Sequence, residues 1–407
     1  MAEDIIQISP KPVKPNRISQ KLRMRRIVLV LSFVVALAAW AFGLLSNGID
    51  ILPLVTKVLP SAERIETRGE LFIGYDPNGE LVGYAAAGES PGYSGPVEML
   101  VGIDPDGNII GSHLIAQRES PGFFRLVDSA GLVSQFVGQT IMGDFRLGED
   151  IDAVSGATLS SEGVAGAARN AVRLAAAEGL DTQIAPESRA IKFSWPEVTL
   201  IALYAAGYIG HRSRNAGLKR KIRWGTMITG IVVIGFIYTI PFTISQVIAF
   251  FSGFWPNWQN NLYWYILLGG ILFVTTVDAK NPYCSWFCPF GSFQELLSKV
   301  TGAKIYKPRR FREFFTWFQR GLAFTAVVLG LVLRRPGVAG YEPFGTLFGF
   351  AGGTIQWIFL LLILITSLIM YRPFCNYLCP IDPFVDLISE IRKWVLEVFK
   401  KWRKASV

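Results

Sequence analysis

Long apolar runs separated by polar, basic loops dominate the pattern of this chain. The first run, Ile27 to Leu45, has close to the ~20 apolar residues that a membrane-crossing helix needs. Five more runs follow a long mixed segment: approximately Trp195–Gly210, Met227–Phe251, Leu262–Val277, Phe315–Leu333 and Ile355–Tyr371. Pro241, inside the second of these five, predicts a kink or an early exit. The pattern therefore predicts a membrane protein with an α-helical transmembrane bundle of about six spans.

Residues 47–193, between the first and second runs, have the pattern of an inserted α+β domain. Two hairpin turns, Asp76-Pro77-Asn78-Gly79 and Asp104-Pro105-Asp106-Gly107, each separate two strand-like runs. The predicted strands are roughly 70–75, 80–86, 97–103 and 108–116. A helical stretch is predicted near 130–137, and a long helix from Ser160 to Gly179, with Gly179 as its C-cap. A segment of about 145 residues can bury a core of its own.

The composition agrees with a membrane protein. Of 407 residues, 51% are hydrophobic and only 17% are charged, and the apolar excess lies in the long runs. The formal net charge of +9 does not indicate a nucleic-acid partner, because the lysines and arginines cluster beside these runs. No nucleic-acid-binding motif accompanies them, and membrane lipid is the expected partner of these basic residues.

The same basic clusters predict the orientation of the chain. Residues 1–26 are basic and expected in the cytoplasm, 27–45 form an uncleaved anchor, and the domain 47–193 is extracytoplasmic. Residues 195–385 form a core of five spans, and 386–407 form a basic cytoplasmic tail. The expected location is the cytoplasmic (inner) membrane of a prokaryote, crossed several times.

A run of small residues leads into the predicted long helix. It reads Asp152-Ala153-Val154-Ser155-Gly156-Ala157-Thr158 and places Thr158 at the helix N-terminus. Unpaired backbone N–H groups and the helix dipole favour an anion there, so they would stabilise a phosphate esterified to the Thr158 hydroxyl. Gly156 and Ala157 would let a bulky ligand approach the backbone. The alternative is an ordinary Ser/Thr cap after a tight turn.

All four cysteines of the chain lie in an internal repeat. The sequence N-P-Y-C-S-W-F-C-P-F (281–290) follows the fourth apolar run, and R-P-F-C-N-Y-L-C-P-I (372–381) follows the sixth. If these turns are helical, cysteines four apart lie on one face, with Cβ atoms ~5–6 Å apart. Two such turns that face each other would present four thiolates to one site. The candidate metal ligands are Cys284, Cys288, Cys375 and Cys379.

Four thiolates are the ligand set of an iron–sulfur cluster, and the count fits both [2Fe–2S] and [4Fe–4S]. Structural zinc, which also takes four cysteines, and four buried structural cysteines are the alternatives. A disulfide is disfavoured on the reducing cytoplasmic side, where topology places both segments. The chain has only two histidines, in different regions, so a membrane haem with two histidine ligands is not expected.

The D-x-x-S-G-A-T run resembles the flavinylation motif of FMN-binding domains of the NqrC/RnfG type. The resemblance implies that an ApbE-type flavin transferase attaches FMN to Thr158 through its phosphate. The transferase would recognise Asp152, Ser155, Gly156 and Ala157. A second segment, Glu119-Ser120-Pro121-Gly122-Phe123, resembles the E-T-P-G-L/F segment that lines the flavin ring in that family.

The two C-x-x-x-C-P motifs beside such a domain resemble the NosR/NirI membrane flavoproteins and their NapH-like transmembrane core. Tyr341-Glu342-Pro343-Phe344 also resembles the Y-E-P-F segment between the last two spans of that family. The resemblance covers about residues 60–385 and favours [4Fe–4S]. The sequence departs from the family because no C-terminal ferredoxin domain follows the second motif. Electrons are therefore expected from a cytoplasmic ferredoxin-like or other donor, or from quinone.

These features predict transmembrane electron transfer from such a donor to an extracytoplasmic redox acceptor. One difficulty is the hydrocarbon core, which is ~30 Å thick. Either the cysteine segments lie deep in the membrane, or the flavin docks into the helices, or a further carrier lies between them. A redox-sensing regulatory flavoprotein is one alternative. Another is a component of an ion-coupled Rnf/Nqr-like complex, for which Glu197 and Asp278 are the acidic candidates.

Overall fold

The computed structural model describes residues 17–46, 48–184, 191, 193–259, 261–278, 281, 283–303 and 312–405. Pro282 of the first cysteine repeat lies outside the described residues. So do most of the predicted basic loop between the fourth and fifth runs and the first 16 residues of the predicted cytoplasmic N-terminus.

The α+β domain is built on an antiparallel sheet whose strands follow one another in chain order. The strands are β1 (Arg64–Arg68), β2 (Leu71–Tyr75), β3 (Leu81–Pro91), β4 (Pro96–Ile103) and β5 (Ile109–Gln117). Both predicted hairpins are present. In the first, the Asp76 carboxylate accepts hydrogen bonds from the backbone of Asn78 at 2.9 Å and Glu80 at 2.8 Å. The strand β1 was not predicted, because its alternating charged side chains are mostly exposed.

Helices cover the sheet and complete the domain. They are α2 (Leu52–Val58), α3 (Pro121–Ser129) and α4 (Thr158–Gly179), with a 3₁₀ turn at Leu132–Phe136. The long helix α4 packs its alanine-rich face on β3 and β4. The prediction of Gly179 as C-cap was wrong, because the helix includes it and the cap is Leu180.

The remaining helices form the apolar core of the protein. They are α1 (Arg17–Ser46), α5 (Trp195–Arg212), α6 (Ala216–Thr229), α7 (Ile244–Ser252), α8 (Leu262–Asp278), α9 (Pro289–Thr301), α10 (Arg312–Val332), α11 (Phe344–Phe348), α12 (Thr354–Ile369), α13 (Pro373–Tyr377) and α14 (Ile381–Ala405). The first helix packs against α10. The tail helix α14 is tied back by Arg392, which donates to the Val277 carbonyl at 2.8 Å.

The predicted run Met227–Phe251 is not one helix. It comprises the end of α6, a π-helical segment Gly230–Ile237, an irregular stretch and then α7. Thr239 takes a left-handed conformation with φ of 53° two residues before Pro241. The predicted break at this proline is therefore present, and it divides the run into two short pieces.

Two helices in the described part of the chain, Met24–Ser46 and Glu313–Val332, are long and apolar enough to cross a membrane. Two shorter apolar helices, Leu262–Val277 and Thr354–Ile369, accompany them. The bundle of six spans therefore stays a prediction.

The α+β domain sits directly on the helical core through the segment between α10 and α12. The Gly337 N–H donates to the Arg118 carbonyl at 3.3 Å. The Phe123 ring at the start of α3 packs on Gly349, where a Cβ would come within 2.8 Å of that ring. Ala351 is part of the domain's own hydrophobic core. The domain is thus a docked unit with apolar contacts to the core.

Candidate functional site

Thr158 is the first residue of α4, as predicted. The N-cap is Ala157, whose side chain makes no capping hydrogen bond. The ordinary Ser/Thr cap is therefore not what this run of residues provides. The Thr158 side chain is exposed, while Ser160 and Ser161 are buried below it. An accessible hydroxyl beside uncapped N–H groups suits a phosphoester, because the helix terminus stabilises the negative charge.

The turn before Thr158 has the shape its small residues allow. Gly156 has φ of 79°, a left-handed conformation that favours glycine. A Cβ at Gly156 would also lie 3.2 Å from the Gly349 carbonyl oxygen, so this turn approaches the helical core closely. Asp152 and Ser155 are exposed, and Ala157 is buried. All these residues lie on the surface loop that leads into α4.

Glu119 is a buried carboxyl group next to this helix terminus. It is 1% exposed, and it accepts hydrogen bonds from the Ser160 hydroxyl at 2.7 Å and the Ser94 N–H at 3.1 Å. The Ser94 and Ser120 hydroxyls lie 2.6 Å apart. Glu119 and Ser120 therefore fix the turn 91–96 from behind. Gly122, at the start of α3, faces Ala351 instead.

Glu119→Gln is expected to remove a pH dependence of stability. Burial raises the pKa of the Glu119 carboxyl from its ordinary value of 4.5 to about 7, although Ser160 and Ser94 donate hydrogen bonds that lower it. The folded protein holds this proton more tightly than the unfolded chain. Its stabilising contribution is therefore complete below pH 4.5 and is lost as the pH rises through about 7. At ~1.4 kcal/mol per pKa unit, the effect on the free energy of unfolding amounts to at most ~3.5 kcal/mol.

The check is the melting temperature of the detergent-purified protein from below pH 4.5 to above pH 7. The difference between wild type and Glu119→Gln should change across this window, while the exposed Glu80→Gln should follow the wild type. Parallel pH profiles for wild type and Glu119→Gln would contradict the assignment.

A cavity of about 270 Å³ lies between the α+β domain and the helical core. The domain contributes the turn 91–96, Glu89 and Leu159, the residue that follows Thr158. The core contributes Pro196, Glu197, Ile240, Gln246, Ala249, Gly253, Phe254, Trp255, Pro256, Asn261, Tyr263 and Trp264. An aromatic cavity beside an exposed threonine fits a group with a flat ring system. No motif indicated the core half of this wall.

The two cysteine turns fold back into the helical core. Phe374, one residue before Cys375, packs on Phe359 with ring centroids 6.4 Å apart. Phe359 lies ten residues before the end of α12, or about 15 Å along its axis. Likewise Phe287 packs on Tyr204 at 5.0 Å, and the Tyr204 hydroxyl donates to the Leu267 carbonyl near the start of α8. The second turn therefore lies beside α12, the helix that precedes it, and the first lies beside α5.

The turns repeat each other in structure as well as in sequence. The N–H of Cys288 donates to the Tyr283 carbonyl at 2.8 Å, and that of Cys379 donates to the Phe374 carbonyl at 2.9 Å. Each bond spans five residues, so each turn is wider than an α-helical one. The condition under which the cysteines of a pair would share one face, a locally helical turn, is therefore met only approximately.

The two cysteine turns meet in one region. A Cβ at Gly291, three residues after Cys288, would lie 3.4 Å from the Cys375 sulfur, and Arg372 of the second turn donates to the Cys284 carbonyl at 3.3 Å. Cys288 and Cys379 are buried, and all four are free thiols. In the described part of the chain, no three His, Cys, Asp or Glu side chains are close enough to hold a single metal ion. The donor set is nonetheless the one that iron–sulfur clusters use, so the residues present fit such a cluster.

Polar contacts hold the two turns together and tie them to other parts of the core. Arg372, in a left-handed conformation, donates to the Cys284 carbonyl at 3.3 Å and to Glu295 at 2.6 Å. Gln319 of α10 donates to the Cys379 carbonyl at 2.8 Å. The Tyr341 hydroxyl donates to the Leu378 carbonyl at 2.7 Å. These contacts fix the backbone of both repeats.

A chain of contacts links the thiol region to Thr158. The Phe344 ring lies 5.0 Å from that of Phe290 and 6.0 Å from that of Phe374. These two rings are two residues after Cys288 and one before Cys375. At the other end of α11, Gly349 contacts Phe123 and the turn at Gly156. One short helix therefore touches both candidate sites.

Comparisons with known proteins match both halves of this site. A model of an FMN-binding domain matches residues 92–173, and a model of a 4Fe-4S binding domain matches residues 260–308 and 351–398. A component of the ion-translocating oxidoreductase complex of Methanosarcina acetivorans is 34% identical over 138 residues, which are 32% of this chain and 73% of that protein. The chain belongs to the FMN-binding domain family. The flavoprotein therefore has FMN and a [4Fe–4S] cluster as its cofactors.

The flavoprotein is NosR/NirI-like. Protein NirI of Paracoccus denitrificans is 29% identical over 199 residues, 44% of this chain and 28% of NirI. The regulatory protein NosR of Pseudomonas aeruginosa is 27% identical over 210 residues, 47% of this chain and 29% of NosR. The matched region spans less than a third of both relatives. The predicted class of membrane flavoprotein is confirmed.

Proposed function

We propose that the flavoprotein is a transmembrane electron conduit with FMN joined to Thr158 by a phosphoester. Cys284, Cys288, Cys375 and Cys379 hold the cluster. A cytoplasmic ferredoxin-like protein, another donor or quinone supplies electrons, and a redox partner outside the membrane accepts them. An ApbE-type transferase attaches the flavin. When bound, the cluster carries single electrons and the flavin carries one or two, so the pair can serve either kind of partner.

The contact made by α11 is the observation that supports this proposal best. Phe344 lies against the rings that flank the cysteines, and Gly349 lies against the domain that carries Thr158. With the first cysteine turn packed beside Tyr204 of α5 and the second folded back along α12, the two sites do not need to be separated by the full ~30 Å hydrocarbon core. Of the three ways in which electrons could cover the distance between the cluster and the flavin, two are therefore favoured together: cysteine segments deep in the membrane, and a flavin that docks into the helices.

The residues of the conduit hold and separate the two sites rather than react themselves. The buried rings of Phe290, Phe344 and Phe374 exclude water from the space between them. Arg372 and Gln319 fix the backbone of the cysteine turns. An electron-transfer site needs such rigidity, because its surroundings should not rearrange when the charge of the cluster changes. Glu197 lies at the start of α5, where it accepts a hydrogen bond from the Ser194 N–H at 2.8 Å. It is thus a helix cap, which weakens its candidacy as an ion-coupling residue.

Reconstituted vesicles test this function. With reductant trapped inside and an impermeant acceptor outside, wild-type protein is expected to reduce the acceptor. Thr158→Ala and Cys379→Ser are expected to give only the rate of protein-free vesicles, because each lacks one cofactor. Equal rates for wild type and both variants would exclude conduction through these sites.

A regulatory function is the second candidate, since one similar protein is named regulatory protein NosR. It predicts wild-type vesicles that contain both cofactors and still move no electrons. The same experiment therefore separates conduction from sensing.

A further inference from the structure

The cavity between the domain and the helical core has walls of unusual composition. Tyr263 is buried, Trp264 is half-buried, and Trp255 stacks on Phe250 with ring centroids 5.6 Å apart and planes at 16°. The Trp255 ring N–H donates to the Phe250 carbonyl, which fixes its plane. Flat aromatic surfaces of this kind stack on other ring systems.

Polar groups occur at the opposite, domain side of the same cavity. Residues 92–95 form a tight turn in which the Gly92 N–H donates to the Gly95 carbonyl at 3.0 Å. Glu119 and Ser120 fix this turn from behind through Ser94. Gln246, 3% exposed, adds an amide from α7. The cavity thus offers aromatic faces from the core and hydrogen-bonding groups from both the 91–96 turn and α7.

We infer that the isoalloxazine ring of FMN is held in this cavity, between the 91–96 turn and the aromatic residues Tyr263, Trp264 and Trp255 of the membrane core. The inference rests on the proposed attachment of FMN to Thr158. Leu159, the next residue, forms part of the cavity wall, so a ring tethered at Thr158 starts at the cavity edge. The ring is then enclosed by two bodies rather than exposed on the domain surface.

This arrangement assigns a role to the docking of the domain. The apolar contacts at Gly349 and Ala351 hold the domain at the core, and the membrane half of the cavity completes the binding site. The FMN-binding domain by itself would present the ring to water. The competing occupant is a quinone headgroup that enters from the membrane, and fluorescence separates the two.

Flavin fluorescence of the full-length protein tests the inference. Indole and phenol side chains in contact with a flavin quench its fluorescence. The side chain donates an electron to the excited flavin ring, and the electron then returns to the side chain without emission of light. Native wild-type protein, co-expressed with the transferase, is therefore expected to fluoresce weakly per covalent flavin and to brighten when denatured. The double variant Trp255→Phe/Trp264→Phe should raise native fluorescence by about twofold or more, since both stacking indoles are lost.

Trp258→Phe is the matched control. Trp258 lies in the same loop and is 51% exposed, and it does not belong to the cavity wall. Its replacement should leave native fluorescence unchanged. A second variant, Ala249→Leu, narrows the cavity from the α7 side. It should displace the flavin ring and so also raise native flavin fluorescence. An unchanged iron content would show that the core of this variant still folds.

The outcomes are distinct. Bright native wild-type protein, or equal fluorescence of the double variant and Trp258→Phe, would overturn the inference. A quinone in the cavity would also overturn the inference. In that case an added short-chain quinone would quench the tryptophan emission of wild type but not that of the double variant, and the flavin fluorescence would not change. Failure of the proposed function itself looks different, because covalent flavin would then be absent from wild type or would persist in Thr158→Ala.

Discussion

Thr158→Ala is expected to yield a folded protein with essentially no covalent flavin. The alanine lacks the hydroxyl that would carry the phosphate, while α4 can still begin at this residue. Thr158 is exposed and does not cap α4, so the cost to stability should be within about 0.5 kcal/mol. The measurement is flavin fluorescence of the denatured protein band after co-expression with an ApbE-type transferase.

Two control variants sharpen this test. Thr158→Ser keeps a hydroxyl at the same place and should retain at least part of the flavin. Thr140→Ala removes another exposed threonine of the same domain and should retain all of it. Covalent flavin in Thr158→Ala at the wild-type level would show that the attachment is elsewhere.

Cys379→Ser is expected to remove most of the iron and acid-labile sulfide from the anaerobically purified protein. A serine hydroxyl is a poor substitute for a thiolate at an iron–sulfur cluster, and the Cys379 side chain is buried. The covalent flavin should stay, because Thr158 belongs to the α+β domain with its own core. Iron analysis and electron paramagnetic resonance measure the first effect, and denatured flavin fluorescence measures the second.

Ser292→Ala serves as the control for the cysteine variant. Ser292 lies four residues after Cys288, is 1% exposed, and its hydroxyl has no hydrogen-bond partner among the residues that the structure describes. Its removal should leave the iron content unchanged. Zinc in place of iron in wild type, or full iron in Cys379→Ser, would refute the proposed ligands.

Several parts of the fold could be predicted because they depend on neighbouring residues only. The apolar runs that became α5, α8, α10 and α12 match the predicted bounds within a few residues. In a membrane the backbone must satisfy its own hydrogen bonds, so an apolar run of this length forms a helix. The two Asp-Pro-x-Gly turns fixed their hairpins in the same local way, through carboxylates that bind the turn backbone.

Other parts could not be predicted because distant residues decide them. The α3 helix was missed because its Glu-Ser-Pro-Gly start resembles a loop, and its apolar face is buried by α4, the Leu132–Phe136 turn and α11, of which α11 is far away in the chain. The cysteine segments were expected to emerge at the end of their helices. They fold back instead, because Phe287 and Phe374 find aromatic partners in Tyr204 of α5 and Phe359 of α12.

The sequence by itself determined the cofactor chemistry of this protein. A threonine after small residues at a helix start and a duplicated pair of cysteines are properties of residue type and spacing, which the chain displays without folding. The tertiary structure alone decided how these groups relate, through the docked domain, the aromatic cavity and the contact made by α11. That relation depends on apolar surfaces from residues far apart in the chain, which are buried together only in the folded protein.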